Sequence, residues 1–573
     1  MGKSRNSKQN WTSFLYLMKA AKLPWGWYIL NLVISIGLVT IMVKLPQVAG
    51  EIMAGKIFDK RLVFTYILVT IGASVIMLPT SILIAWINLQ TDKRLRKTIW
   101  KKIIHLPLAE TDKVAPTSLV SRVTTDTATL SYGIMCFFNL INTSYGLILI
   151  LIAIGKINSK MLLMLLILVP FILLATIPSH FMHDVQNQAQ GALAHYTNFL
   201  AERLSSLHQI KAFTAEEKED MLNNAASKDY FKANIKRAKL DVIAQPLIYS
   251  MDAVTQAVVL IYGGYLLSRG ELQTSSIITL FMYSATIFGS ASQFVFFWQS
   301  LKTAQGAAKV SSEIVITESE QMERQQSFAI PDENIRLENV SFAYENGKKV
   351  LDNLIMEIPK GKTTVILGPS GSGKSTVLKL LERLYQPTSG KIMFGSIPAE
   401  DIHLNEWRDS FGIVPQDSPL LFGTIRDNIT YGLNEEVSEE ILQNAITRAN
   451  VKEIIEHLPE GLYSDVGDVG MKLSGGEKQR IALARMVIRD PEYLLMDEAT
   501  SNLDGKNEKL VSEALLDLMK GKTSVIVTHK LRAVELADNI IFMEDGKVKG
   551  CGTHEDMYEK NDTYRRYVDL QRC

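Results

Sequence analysis

Six apolar stretches dominate the N-terminal half of the chain, at about 26–46, 62–88, 132–154, 160–181, 243–267 and 274–298. Each is close to the roughly twenty residues a helix needs to cross bilayer hydrocarbon. Between the second and third lie Lys93, Arg94, Arg96, Lys97, Lys101 and Lys102; between the fourth and fifth lie Arg203, Lys211, Lys218, Lys232, Lys236 and Arg237. Basic loops stay on the cytoplasmic side. Both segments, and the N-terminus with Lys3, Arg5 and Lys8, are therefore placed inside, and the short connections around 50–60, 155–159 and 268–273 face outward. An even number of spans returns the chain to the cytoplasm. The sequence thus predicts a multi-pass protein of the cell membrane, with lipid as a partner.

The inner segments are more than loops. Residues 92–104 and 192–210 keep helical periodicity without membrane-grade hydrophobicity, and read as continuations of the spans. Each pair ends in a short turn, near 105–116 and 209–216. A protruding helical lever with a short tip suits mechanical coupling to a soluble motor. At the N-terminus the basic residues are not followed by an apolar core and a small-residue cleavage site, so no removable signal peptide is expected. Trp11, Phe14, Leu15 and Met18 recur at helical spacing, with Lys19 and Lys22 at the edge. That suits either a short helix along the membrane surface or an entry turn of the first span.

A length of 573 residues suggests two or more domains. The 47% hydrophobic and 21% charged content averages two unlike halves, apolar before about Gly306 and ordinary soluble pattern after about Asn334. A net charge of +1 argues against a nucleic-acid partner, which would demand a basic excess. Cys136, Cys551 and Cys573 are too scattered for a disulfide framework or metal cluster.

The soluble half carries the chemistry. Residues 335–344 alternate as a strand, and the β-branched run 363–367 leads into Gly368-Pro369-Ser370-Gly371-Ser372-Gly373-Lys374-Ser375-Thr376 and a helical stretch. This is a phosphate-binding loop in its strand–loop–helix context. Glycines let backbone N–H groups wrap phosphates, the helix start adds positive potential, Lys374 reaches the β/γ-phosphates and Ser375 ligates Mg²⁺. A second apolar strand, 493–496, ends in Asp497-Glu498. Phosphoryl transfer to water needs one carboxylate near Mg²⁺ and another to orient or deprotonate water, roles that suit Asp497 and Glu498 respectively.

Leu473-Ser474-Gly475-Gly476-Glu477-Lys-Gln-Arg480, between these motifs, resembles the signature of the ABC ATPases, with Glu477 where glutamine is commoner. A Gly/Ser-rich turn opening a helix presents backbone donors and Ser474 to an anion; the resemblance implies that this anion is the γ-phosphate of ATP on an opposing subunit. It further implies that Tyr344 stacks on adenine, that Gln416 touches Mg²⁺ and senses the membrane domain, that Ser501-Asn502-Leu-Asp504 forms the D-loop, and that His529 is the switch histidine on the γ-phosphate. Residues 118–126, 202–213 and 420–429 resemble the intracellular loops and post-Gln416 stretch of type IV exporters. The chain departs from that family at Gly467-Asp468-Val469-Gly470, where Gly-Glu-Arg-Gly is usual, which puts the details of coupling in question.

The resemblance implies one half of a dimeric exporter. Its fold would be an all-α six-helix transmembrane domain joined to an α/β P-loop ATPase domain. The divisions are an N-terminal elbow at 1–24, the transmembrane domain at 25–315, a linker at 316–333 and the ATP-binding domain at 334–573. The intact motifs favour two copies of this chain over a heterodimer. Alternatives are an importer of the siderophore kind on the same fold, or an ATP-gated channel or regulator; intact Glu498 and His529 argue for sustained turnover. A small molecule, lipid or peptide would be the cargo. Asp252, with Gln256 one turn on, either lines a cavity or bonds between helices, and Phe294, Phe296, Phe297 and Trp298 crowd the last span. Lys44 reads as an interface anchor.

Overall fold

A computed structural model describes residues 2–56, 59–164, 168–320, 333–344, 347–433, 435–467, 473–498, 505–529 and 531–572. The chain divides into two compact units, residues 1–104 with 116–317, and residues 105–115 with 318–573. The predicted linker falls mostly on residues outside those described.

The first unit is all-helical. A helix Gly2–Ala20 precedes six long ones: Trp25–Glu51, Lys60–Ile103, Thr127–Ile157, Leu168–Ser205, Glu216–Ser268 and Thr274–Ile316. Among the described residues, four helical stretches are long and apolar enough to cross a membrane: Trp25–Gly55, Lys60–Ile103, Pro116–Ile157 and Thr274–Ile316. The fourth and fifth predicted spans fall on Leu168–Ser205 and Glu216–Ser268, with residues 165–167 of the fourth outside the described set. Lys60–Ile103 has 44 residues, hence about 66 Å at 1.5 Å per residue, roughly twice the hydrocarbon thickness. Its surplus forms the first lever. Asp59 caps its start, accepting from the N–H groups of Arg61 and Leu62. Prolines interrupt the ladder at Pro79 in this helix and at Pro246 in Glu216–Ser268.

Small residues let the helices approach. A Cβ added to Gly133 would lie 2.0 Å from that of Ala304, which is fully buried with Ala308. Phe14, Leu17 and Met18 of the N-terminal helix bury against Tyr28, Leu95 and Ile99. Positions 14, 17, 18 and 21 recur at i, i+3, i+4 and i+7 and define the buried stripe. Leu15, assigned above to that face, is instead 59% exposed because it lies one residue, about 100°, off the stripe. Asp252 accepts from Gln256 Nε2 at 3.0 Å on its own helix, while its other oxygen has no partner among the described residues. Phe294, Phe296 and Trp298 are substantially exposed, whereas Phe297 packs on the core.

The second unit is α/β. Its strands are β1 Ile335–Ala343, β2 Lys349–Ile358, β3 Thr363–Leu367, β4 Ser389–Phe394, β5 Ile397–Pro398, β6 Phe411–Val414, β7 Tyr493–Asp497, β8 Thr523–Thr528, β9 Asn539–Glu544 and β10 Lys547–Gly552. An antiparallel sheet runs β2-β1-β4-β5, and a six-stranded sheet runs β10-β9-β3-β8-β7-β6, parallel except for β10. β3, β7 and β8 are apolar and largely buried, as strands covered on both faces must be. The turn near 105–116 belongs to this unit: Leu108 and Ala109 pack on its core, and the Tyr385 hydroxyl donates to Asp112. Arg408 grips Glu320 with two bonds of 2.8 Å.

Candidate active site

Ligands of parallel sheets bind beyond the carboxyl ends of the strands. Register decides which residues meet there. Leu367 of β3 pairs with Thr528 of β8, Asp497 of β7 with Val527 of β8, and Val414 of β6 with Met496 of β7. The phosphate loop after Leu367, Asp497-Glu498, His529 and Gln416 therefore leave the sheet along one edge.

The loop Gly368–Gly373 is shaped by its glycines where no side chain fits. At Gly368 (φ +158°) an added Cβ would lie 2.1 Å from the Met543 carbonyl, and Gly373 (φ +97°) is the cap of helix Lys374–Leu381. Ser370, Gly371 and Ser375 are exposed at the mouth, whereas Ser372, Lys374 and Thr376 are buried. The Lys374 ammonium donates to the carbonyls of Gly368 and Pro369, both at 2.8 Å. Burial pushes its pKa down, opposed by the charges of Glu498 and Asp497. The Ser375 hydroxyl donates to Asp497 Oδ1 at 3.3 Å, and burial raises the Asp497 carboxyl.

Glu498 sits just past β7 in the left-handed region (φ +47°), with its N–H bonded to Val527 O at 2.9 Å. A non-glycine residue held there is strained, as side chains aimed for a task often are. Its carboxylate lies 2.7 Å from His529 Nδ1, so the proposed base and switch histidine are one hydrogen-bonded pair. Gln416 is exposed, and its carbonyl accepts from Gln479 of the signature helix at 3.4 Å. Tyr344 shares its hydroxyl with Thr376 at 3.3 Å and meets Phe342 and Tyr385 edge-on, with the Lys379 ammonium 5.8 Å from its ring.

Ser474 caps the helix Gly475–Arg489. Its N–H and hydroxyl both donate to Glu477 Oε2, at 2.7 and 2.8 Å. No hydrogen bond joins Ser474, Gly475, Gly476 or Glu477 to the phosphate loop among the described residues. Asp504, Asn502, Asp468, Val469 and Cys573 lie outside the described residues. Two groups escaped sequence reasoning. Tyr567, on helix Asp562–Arg572, donates toward Gly368 O at 3.2 Å. Glu382, at the C-terminal cap of the phosphate-loop helix, has a carboxyl that burial, and then the Asp497 charge, push up to about 7.

A phosphate loop, paired carboxylates and a histidine along one edge of a parallel sheet, fused to helices of membrane length, define a membrane protein driven by a nucleotide. Comparison with known proteins narrows the class. Residues 351–501 match the ABC transporter family and residues 28–291 match the ABC transporter transmembrane region. A multidrug resistance ABC transporter ATP-binding and permease protein of Lactococcus lactis subsp. lactis (strain IL1403) is 30% identical over 565 residues, 97% of this chain and 95% of that protein. An ATP-dependent lipid A-core flippase of Chromobacterium violaceum is 28% identical over 496 residues, 85% of this chain and 84% of its own length. The fold resembles that of a bacterial Atm1-family ABC exporter with ATP bound, with a TM-score of 0.82 at 21% identity over 95% of this chain and 97% of the other. This chain belongs to the ABC transporters. It is an integral membrane protein that binds and hydrolyses ATP and couples hydrolysis to transport.

Proposed function

We propose that Gly368–Thr376 hold the phosphates of ATP, that Tyr344 stacks on the base, and that Glu498 activates the attacking water while His529 and Gln416 position the γ-phosphate and its surroundings. The observation that supports this most is the 2.7 Å contact of Glu498 with His529 at the same sheet edge as the phosphate loop. Glu498 takes the proton from water; His529 holds that carboxylate in place and offers its ring to the γ-phosphate as it develops charge. The Ser375 hydroxyl and Asp497 carboxylate, hard oxygen donors 3.3 Å apart, fit Mg²⁺, with Gln416 completing the set. Bound there, the ion would neutralise phosphate charge.

One phosphate loop is half a site, because the γ-phosphate is capped by Ser474–Glu477 and flanked by Asp504 of a second ATPase domain. The partner is a second half-transporter, here a second copy. The transmembrane domain spans 25–315 after an elbow at 1–24, and a linker at 316–333 joins it to the ATP-binding domain at 334–573. Closure of the ATPase pair moves the levers and turns the cavity outward; hydrolysis resets it. The named roles of the relatives, multidrug resistance and lipid A-core flipping, point to amphipathic small molecules or lipids as cargo. Glu498→Gln in the purified chain tests the chemistry. ATP binding should persist while hydrolysis falls by about 10²–10⁴-fold, the usual loss for one general base. Near-normal turnover would remove Glu498 from that role. ATP-dependent loss of dye or lipid analogues from oriented vesicles tests the cargo class.

A further inference from the structure

The Gly368 carbonyl receives two donors. Lys374 Nζ lies at 2.8 Å and Tyr567 Oη at 3.2 Å. The tyrosine comes from helix Asp562–Arg572, far along the chain, and its ring packs on Phe542 of β9 at 5.3 Å between centroids. Its oxygen also lies 3.4 Å from the carbonyl of His529, and it accepts from Gln571 Nε2 at 3.0 Å. A phenol has one proton. With Gln571 filling its acceptor side, that proton is directed to one of two carbonyls, at the start of the phosphate loop or on the switch histidine.

Lys374 must release Gly368 and Pro369 to reach phosphate. A buried carbonyl left without a donor costs free energy, so whatever replaces the ammonium there lowers the cost of its departure. We propose that Tyr567 is a positioning residue of the nucleotide site, whose hydroxyl takes over the Gly368 carbonyl as Lys374 swings to the phosphates. This rests on Lys374 being the phosphate ligand.

Tyr567→Phe removes the hydroxyl and keeps the ring on Phe542. In the full chain in nanodiscs, KM for ATP and the Kd of a fluorescent ATP analogue should rise roughly three- to tenfold, the net worth of one hydrogen bond. The kcat should stay within about twofold, because only ground-state binding is changed. The melting temperature should match wild type, and Gln571→Ala should shift KM in the same direction by less. Unchanged KM and Kd in Tyr567→Phe overturn the proposal, as does a melting temperature that falls together with kcat. Lys374→Ala separates the levels: if it binds the analogue as wild type does, Lys374 is not the phosphate ligand. If it loses binding while Tyr567→Phe does not, only the role of Tyr567 fails.

Discussion

Ser474 directs both its donors at one carboxylate oxygen of Glu477, closing a capping box at the start of the signature helix. An anion at that helix end competes with Glu477 for the same hydroxyl and the same positive potential. Glutamine would keep the box, since its carbonyl accepts equally, but remove the charge. Glu477→Gln should therefore lower KM for ATP, by roughly threefold if charge-assisted bonds are about twice as strong as neutral ones, with an unchanged melting temperature. Steady-state ATPase titrations read this directly, and a raised KM would show that the charge helps. Much of the site was legible at this scale because its residues follow apolar strands in fixed order, as Asp497-Glu498 and His529 do. Tyr567 was not, because its partner at Gly368 is 199 positions away and no local pattern announces such a contact.

The phosphate-loop helix Lys374–Leu381 ends at Glu382, which the fold buries close to Asp497. Its carboxyl titrates near 7 in the folded chain against an ordinary 4.5. The sign follows. Below about 4.5 both states hold the proton and the contribution to stability is complete; as pH rises through 7 it is lost, because the unfolded chain ionises more readily. Glu382→Gln should match wild type at pH 4 and exceed it at pH 8, by on the order of 3 kcal/mol, as a thermal melt at the two values would show. Sequence periodicity identified the elements that feed the site, β1, β3 and β7, from their alternation or apolar runs. It did less well for the N-terminal helix, where Leu15 was taken for the buried Leu17; neighbouring apolar residues leave the phase of a short stripe undecided until a partner surface fixes it. Nor did it find the burial of Glu382, whose charged neighbours Asp497 and Arg408 lie far off in the sequence.

For the whole molecule the first question is pairing. Every motif needed for two working sites is present in one chain, from Gly368–Ser375 through Ser474–Gly476 to Glu498 and His529. The chain expressed alone should purify as a dimer and hydrolyse ATP with positive cooperativity, checked by light scattering and a rate-against-ATP curve. A monomer that stays inactive until a different half-transporter is co-expressed would assign the second ATPase to another chain.

Pro79 and Pro246 each remove a rung from a helix that runs well past the bilayer, and bending concentrates where a rung is missing. At 1.5 Å per residue, Pro79 divides Lys60–Ile103 into arms of about 28 and 37 Å, and Pro246 divides Glu216–Ser268 into arms of about 45 and 34 Å. Longer over shorter, both rods have nearly the same arm ratio, about 1.3, with the long arm on the cytoplasmic side. Any bend about these prolines therefore moves the tip of the long arm about 1.3 times as far as that of the short arm, in both helices alike.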